Sequence, residues 1–262
     1  MNYFWTLLIG VILIAGCSKH SATSKWAPPA NPDPSQILND AEADARAGNY
    51  PAALAKHVWF FQNALKYNEG LYGVRLSFAL SDWVKLGKVY PPALEKLKAF
   101  RDEAESNIRK QTNIRDNFHD FESINKELSE ESKTVALFVW LDSNQSNSAK
   151  QVFDLAEPAL VISKEYRLCG KYIDADASFN QALESYRTTS KIAQEKLGKR
   201  VQDFADNNFK NETTTLIALL VVNNRKAEAQ KIADKISKEP NLPEFKDEIQ
   251  KALNGEVPPP WP

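Results

Sequence analysis

Between Gly87 and Gly170 the chain carries no glycine, and between Pro92 and Pro158 it carries no proline. Hairpins need such punctuation every few residues, so stretches this long without it exclude a strand-and-turn architecture and favour long helices. Apolar residues recur every three or four positions. Leu97, Phe100, Ala104, Ile108, Ile114, Phe118, Phe121, Ile124 and Leu128 form one stripe. Phe179, Ala182, Tyr186, Ala193, Leu197, Val201 and Phe204 form another. Each stripe predicts one long helix or two helices with a break. The most strand-like piece runs from Thr215 to Val222; helical pattern flanks it, so it reads as a buried helix. The expected fold class is all-α.

Charge narrows the function classes. With 33 Lys plus Arg against 34 Asp plus Glu, the chain lacks the strong basic footprint that nucleic-acid binding needs, so no nucleic-acid partner is expected. Two cysteines exclude a disulfide scaffold. Cys169 lies deep in the helical region and is expected to be a small buried apolar residue rather than a reactive thiol.

The two ends differ from the middle. From Tyr3 to Gly16 there is no charge, a run too short to span a bilayer comfortably but long enough for the apolar centre of a secretory signal. Leu13-Ile14-Ala15-Gly16-Cys17 resembles the lipobox of bacterial lipoproteins. The resemblance implies a signal peptide over 1–16, cleavage before Cys17, and acyl chains (palmitate among them) on its sulfur and new amine. Two or more acyl chains hold a protein at a membrane where one does not. In that family an aspartate after the cysteine favours the inner membrane; here Ser18 follows, which implies the outer membrane, facing the periplasm. The n-region departs from the usual pattern in having no Lys or Arg. Residues 17–35 are rich in small polar residues and proline and predict an extended tether, about 24 Å if flexible and roughly 56 Å if stiff. The body is expected over 36–254, with a Pro-rich tail over 255–262 that is either an interaction motif or a disordered end.

Within the body, Gly170-Lys171-Tyr172-Ile173-Asp174-Ala175 leads to Phe179, Ala182 and Leu183, with Ala159, Ile162, Ser163 and Tyr166 before it. This resembles a tetratricopeptide repeat. The resemblance implies that Gly170 ends a first helix, Tyr172 wedges into the turn, and small Ala175 lets the second helix approach closely. Near-copies begin at Gly48-Asn49-Tyr50 and at Gly87-Lys88-Val89-Tyr90. Weaker ones lie around Asn144 to Asn147 and at Asn223-Asn224. Trp83, Leu86, Gly87 and Tyr90 also match the family's first-helix pattern. That register would put Pro91 and Pro92 inside a helix at a cost of about 3 kcal/mol, so Gly87 is expected in the turn and the prolines at the start of the next helix. The anchors Ala53, Ala93, Ala149, Ala175 and Ala227 are unevenly spaced, whereas the family repeats about every 34 residues. A helical-hairpin superhelix with helices lengthened or inserted around 104–132 and 190–212 is therefore expected.

Motifs for chemistry are sparse. His20, His57 and His119 are not paired at ligand spacing, and no HExxH, CxxC, P-loop, G-x-S-x-G or G-x-G-x-x-G occurs. No metal, cofactor or catalytic residue is expected. Asp174 with Asp176 and Glu103 with Glu105 lie two apart and do not share a helix face. Trp59-Phe60-Phe61 and Phe138/Trp140 read as core, and Asn211-Glu212-Thr213 is a glycosylation sequon by pattern only.

What remains is a surface. In tetratricopeptide proteins a curved groove lined by first helices holds peptides. The resemblance places Arg46, Lys85, Leu160, Lys164, Arg167 and Leu168 on that inner face. It implies a non-enzymatic adaptor for envelope proteins or peptides, anchored to the membrane through Cys17. The order of parts is similar to that of the repeat lipoproteins of β-barrel and pilus assembly. Rival readings are a regulator or cryptic enzyme of envelope and peptidoglycan metabolism, and a lipid or small-molecule carrier.

Overall fold

A computed structural model describes residues 26–261. The leader over 1–16, the lipidation site Cys17 and His20 lie outside the described residues. Within them the chain is all-α, with thirteen α-helices and no strand. No described helix is long and apolar enough to cross a membrane.

The first hairpin is α1 (Pro34–Arg46) and α2 (Tyr50–Tyr67). Asp33 starts it by accepting the Ser35 and Gln36 N–H groups at 2.9 and 3.3 Å, and Pro34 tolerates the first turn. The body thus begins two residues before the expected boundary. The expected tether also ends early, because Trp26 packs edge-on against Trp59 of α2, with ring centroids 6.5 Å apart. Gly48 takes φ of +80° after α1, the left-handed conformation that a helix C-terminus favours.

A 3-10 turn (Glu69–Leu71) and the short α3 (Tyr72–Arg75) lead to α4 (Phe78–Val89) and α5 (Pro91–Arg109). Pro91 and Pro92 open α5 as expected, but Gly87 lies within the last turn of α4 rather than in the loop. A Cβ there would stand 3.0 Å from Leu94 Cβ and 3.3 Å from the Leu94 nitrogen, so this glycine serves a close helix crossing. Trp83 adds a tie across that crossing, its indole N–H donating to the Ala93 carbonyl at 2.8 Å.

Both long stripes resolve into two helices. α5 and α6 (Ile114–Glu127) are separated by a turn in which Gln111 and Asn113 take φ of 60° and 41°. After α7 (Glu131–Asn144), α8 (Ser146–Ile162) and α9 (Tyr166–Tyr172), the second stripe runs down α10 (Ala175–Ile192). It passes a π-helical turn (Ala193–Leu197) and Gly198 at φ +68°, and enters α11 (Lys199–Val222). The piece expected to be a buried helix lies in α11, with Leu216 to Leu220 at 5% exposure or less. α12 (Lys226–Lys238) and α13 (Lys246–Leu253) close the body.

The best repeat match departs from its expected shape. Its first helix is interrupted at Ser163–Glu165, where Lys164 takes φ of 60°, so Ile162 and Ser163 end one helix and Tyr166 begins another. Gly170 does not end a helix. It lies inside α9, where an added Cβ would meet the Asn223 side chain at 2.2 to 2.6 Å. Tyr172 does wedge, stacked on Phe153 and edge-on to Phe138. Ala53, Ala93, Ala149 and Ala175 are buried as anchors should be, but Ala227 is exposed and Ala229 takes the buried place.

Two apolar cores meet along α5 and α6. Phe61, Leu80, Trp83 and Leu97 pack with Ile124 in the first. In the second, Phe138, Phe179 and Phe209 belong to a cluster with Phe118 and Phe121. A smaller cluster joins Leu38, Phe60, Ala64 and Ala79. Cys169 lies fully buried in the second core, and burial pushes its thiol up to about 12, so it behaves as the expected apolar residue.

Candidate functional site

The six residues expected on one inner face do not form one. Leu160 is fully buried in the second core, because α8 turns that side inward, and Leu168 packs on the same core. Lys164 occupies the left-handed turn after α8, and Arg167 is exposed on α9. Arg46 pairs with Glu42 at 3.1 Å and Lys85 with Asp82 at 2.8 Å. The Lys85 ammonium is held above its ordinary range first by its Asp82 hydrogen bond and charge, then by Glu42 and Glu127. These two cations are answered by neighbouring carboxylates.

The feature that the structure does assemble is a cleft of about 690 Å³ between α3, α6, α7, α8 and the C-terminal tail. Leu155, Pro158, Ala159 and Ile162 of α8 make an apolar wall. Ile162, 55% exposed, stands at its lip.

The opposite side is polar and built from α3 and α6. Arg75 clamps Asp120 with two hydrogen bonds of 2.5 and 2.7 Å and donates through Nε to the Phe61 carbonyl at 2.7 Å, which locks the short α3 onto α6. That lock sets Tyr72 Oη 2.9 Å from His119 Nδ1. The other ring nitrogen of His119 faces Glu122 Oε1 at 3.6 Å, one helical turn along α6. Glu122 also accepts the Ser123 hydroxyl at 2.8 Å.

Burial lowers the His119 pKa below the usual imidazole value, against the charge of Asp120 and with the help of Arg115 and Arg75. Burial raises Glu122 to about 7, against its Ser123 hydrogen bond and Lys126. Burial thus favours the neutral form of both groups, which stand 3.6 Å apart at the edge of the cleft.

The tail forms the far edge. It is a docked strand of chain rather than a disordered end. Val257 packs on the second core. Both ends of the Asn211 amide hold the backbone: Nδ2 donates to the Pro259 carbonyl at 2.8 Å, and Oδ1 accepts the Trp261 N–H at 2.9 Å. The sequon asparagine is thereby occupied. Pro259, Pro260 and Trp261 then line the cleft.

No protein-family model, curated protein or solved structure matches this chain. The cleft therefore rests on its own geometry. The sequence sets His119 in a polar helix, followed by Asp120 and Glu122, and a lone helical histidine of that kind reads as structural; the i, i+3 spacing to Glu122 was the one available signal of a pair. Tyr72, 47 positions away, carried none. Among the described residues no group of three His, Cys, Asp or Glu is disposed to hold a metal ion.

Proposed function

We propose that the protein is a lipid-anchored envelope protein, held by acyl chains on Cys17 at the outer membrane and facing the periplasm, whose stacked helical hairpins act as an adaptor for other envelope proteins. The anchor rests on the lipobox resemblance of Leu13 to Cys17. The adaptor reading rests on one observation: an open cleft of about 690 Å³ with an apolar wall, edged by the chain's own extended Pro-Pro-Trp segment. Such a surface suits an extended partner segment, which buries apolar side chains while keeping its backbone wet. The expected groove on the first helices is replaced in this reading by the cleft.

The test is cross-linking and pull-down from membranes with the anchor intact. A Cys17→Ser protein should lose palmitate-analogue labelling and membrane recovery. An Ile162→Glu protein should keep its fold, since that side chain is exposed, and lose most of its cross-linked partner. Unchanged cross-linking by Ile162→Glu would remove the cleft from the proposal.

A second reading, an envelope enzyme or regulator, is favoured by the Tyr72–His119–Glu122 chain. A His119→Gln protein with unaltered envelope phenotype and partner binding would count against it.

A further inference from the structure

The second apolar stripe runs past the core that it helps to fill. Phe179 and Ala182 are buried in α10. Beyond Tyr186 the large members of the stripe come to the surface: Leu197 is 61% exposed and Phe204 50%, and Ile192 joins them at 41%. They sit around one tip, made by the end of α10, the π-helical turn and the start of α11. The outermost polar ties from α10 to the end of α12 and the loop after it are the Arg187–Glu239 ion pair and the Tyr186 hydroxyl on the Asn241 carbonyl, at 3.3 Å. At 1.5 Å per residue Ile192 stands about 8 Å further out. The π turn packs on α10 and α11.

The tip is built with its small side chains inside. Ser190, Ala193 and Ala205 are the buried ones. Gln202 ties α11 to α10 by donating to the Ser190 hydroxyl at 3.1 Å. The hairpin end is thus closed without Ile192, Leu197 or Phe204, which stay outside. Large apolar groups gathered on a projecting end mark a surface for an apolar partner.

Charge decides what kind of partner. The exposed cations Lys191, Lys196, Lys199 and Arg200 stand among these apolar residues. Between 191 and 204 the carboxylates are Glu195 and Asp203. Asp203 takes Lys199 at 2.6 Å, and Glu195 stands 3.9 Å from Lys191. Lys196 and Arg200 have no ion pair among the described residues. In a chain whose charges nearly cancel, this end carries an excess of positive charge. Apolar side chains interleaved with free cations suit an anionic bilayer, whose interface takes apolar groups to a depth of about 5–10 Å and meets the cations with phosphates. The projection of the tip matches that depth.

We propose that this tip inserts into the surface of an anionic phospholipid bilayer. Ile192, Leu197 and Phe204 enter the headgroup and upper acyl region, and Lys196 and Arg200 meet the lipid phosphates. The contact is separate from the anchor on Cys17 and from the adaptor cleft.

The experiment reads the tip directly in the full chain reconstituted with vesicles. A Gln194→Cys protein, changed at an exposed site in the π turn, carries an environment-sensitive nitrobenzoxadiazole dye. Cys169 is buried, and wild type treated with the same dye supplies the background. In vesicles of phosphatidylethanolamine and phosphatidylglycerol the dye should brighten and shift to shorter wavelength, and high salt should reduce the response. In phosphatidylcholine vesicles it should report water. Adding Leu197→Glu and Phe204→Glu, both at exposed sites, should lower the insertion equilibrium at least about tenfold. Adding Lys196→Gln and Arg200→Gln should lower it roughly thirtyfold at low salt. The same dye at Glu184→Cys, exposed nearer the middle of α10, should not respond. Recovery of the protein with the vesicles reports the anchor and the dye reports the tip, so either can fail alone. The proposal is overturned if the dye reports water in the anionic vesicles, if it responds equally in phosphatidylcholine, or if the Leu197 and Phe204 changes leave the response intact. A response that follows protein density rather than lipid charge assigns the tip to a second copy of the chain and overturns it too.

Discussion

His57 shows how a single buried side chain carries pH dependence. Its ring is 2% exposed and stacks on Trp83, with centroids 5.7 Å apart. Its Nδ1 has no hydrogen-bond partner among the described residues. Burial lowers its pKa to about 4, only partly opposed by the charge of Asp82. The unfolded chain therefore takes up a proton near pH 6.5 that the folded chain refuses until about pH 4. The stability associated with neutral His57 is complete above pH 6.5 and is lost as pH falls through that window, by roughly 3 kcal/mol in total. His57→Phe keeps the stacked ring and removes the titration. Urea unfolding of the two proteins between pH 7.5 and pH 4 should show wild type losing roughly 3 kcal/mol more than the variant. Parallel curves would show that the ring is protonated in place.

At the scale of elements, what could be read in advance was what local chemistry decides. The prolines at the start of α5, the turn at Gly48 and the burial of Leu216 to Leu220 follow from backbone freedom and apolar spacing. What could not be read depends on a neighbour distant in the chain. Gly170 resembles a turn glycine, yet its small size answers to Asn223, whose amide donates to the Tyr166 and Leu219 carbonyls at 2.8 Å each. The cleft is a case of the same kind. His119 and Glu122 share a face of α6, but Tyr72 and the tail reach them only through the fold. The sequence left the tail open between an interaction motif and a disordered end, because prolines cannot form a helix or a ladder. It is held by Val257 on the second core and by both ends of the Asn211 amide. Asn211→Ala should remove both ties at a cost of about 1 kcal/mol each. The Trp261 amide should then exchange with solvent roughly thirtyfold faster, while the α11 amides keep their wild-type rates. Exchange measured on tryptophan-labelled protein checks this; an unchanged Trp261 rate would mean that Val257 packing alone docks the tail.

The whole molecule behaves as its two cores dictate. Leu97 lies fully buried in the first core, and Phe179 and Phe209 lie in the second. Consecutive helices make the densest contacts and no sheet ties distant segments together among the described residues. In such a chain stability is carried from neighbour to neighbour. Among the described helices, two have buried residues in both main cores: α5, through Ala93 and Leu97 on one side and Ala104 and Ile108 on the other, and α6, through Ile124 on one side and Phe118 and Phe121 on the other. Leu97→Ala removes a buried side chain from the first-core end of α5 and should cost about 2 to 5 kcal/mol. Its effect should be regional: amides of α1 to α5 should lose protection against hydrogen exchange, while α10 to α13 keep theirs. Phe121→Ala strikes the joint, so protection should fall on both sides of α6. Equal loss everywhere in Leu97→Ala would instead mean that α5 and α6 transmit the full cost and the body unfolds as one unit. The distinction bears on function, because the cleft is built from α3 and α6 on one side and α8 with the tail on the other. If the first core can loosen alone, the Tyr72 and His119 side of the cleft can shift while the α8 wall stays in place.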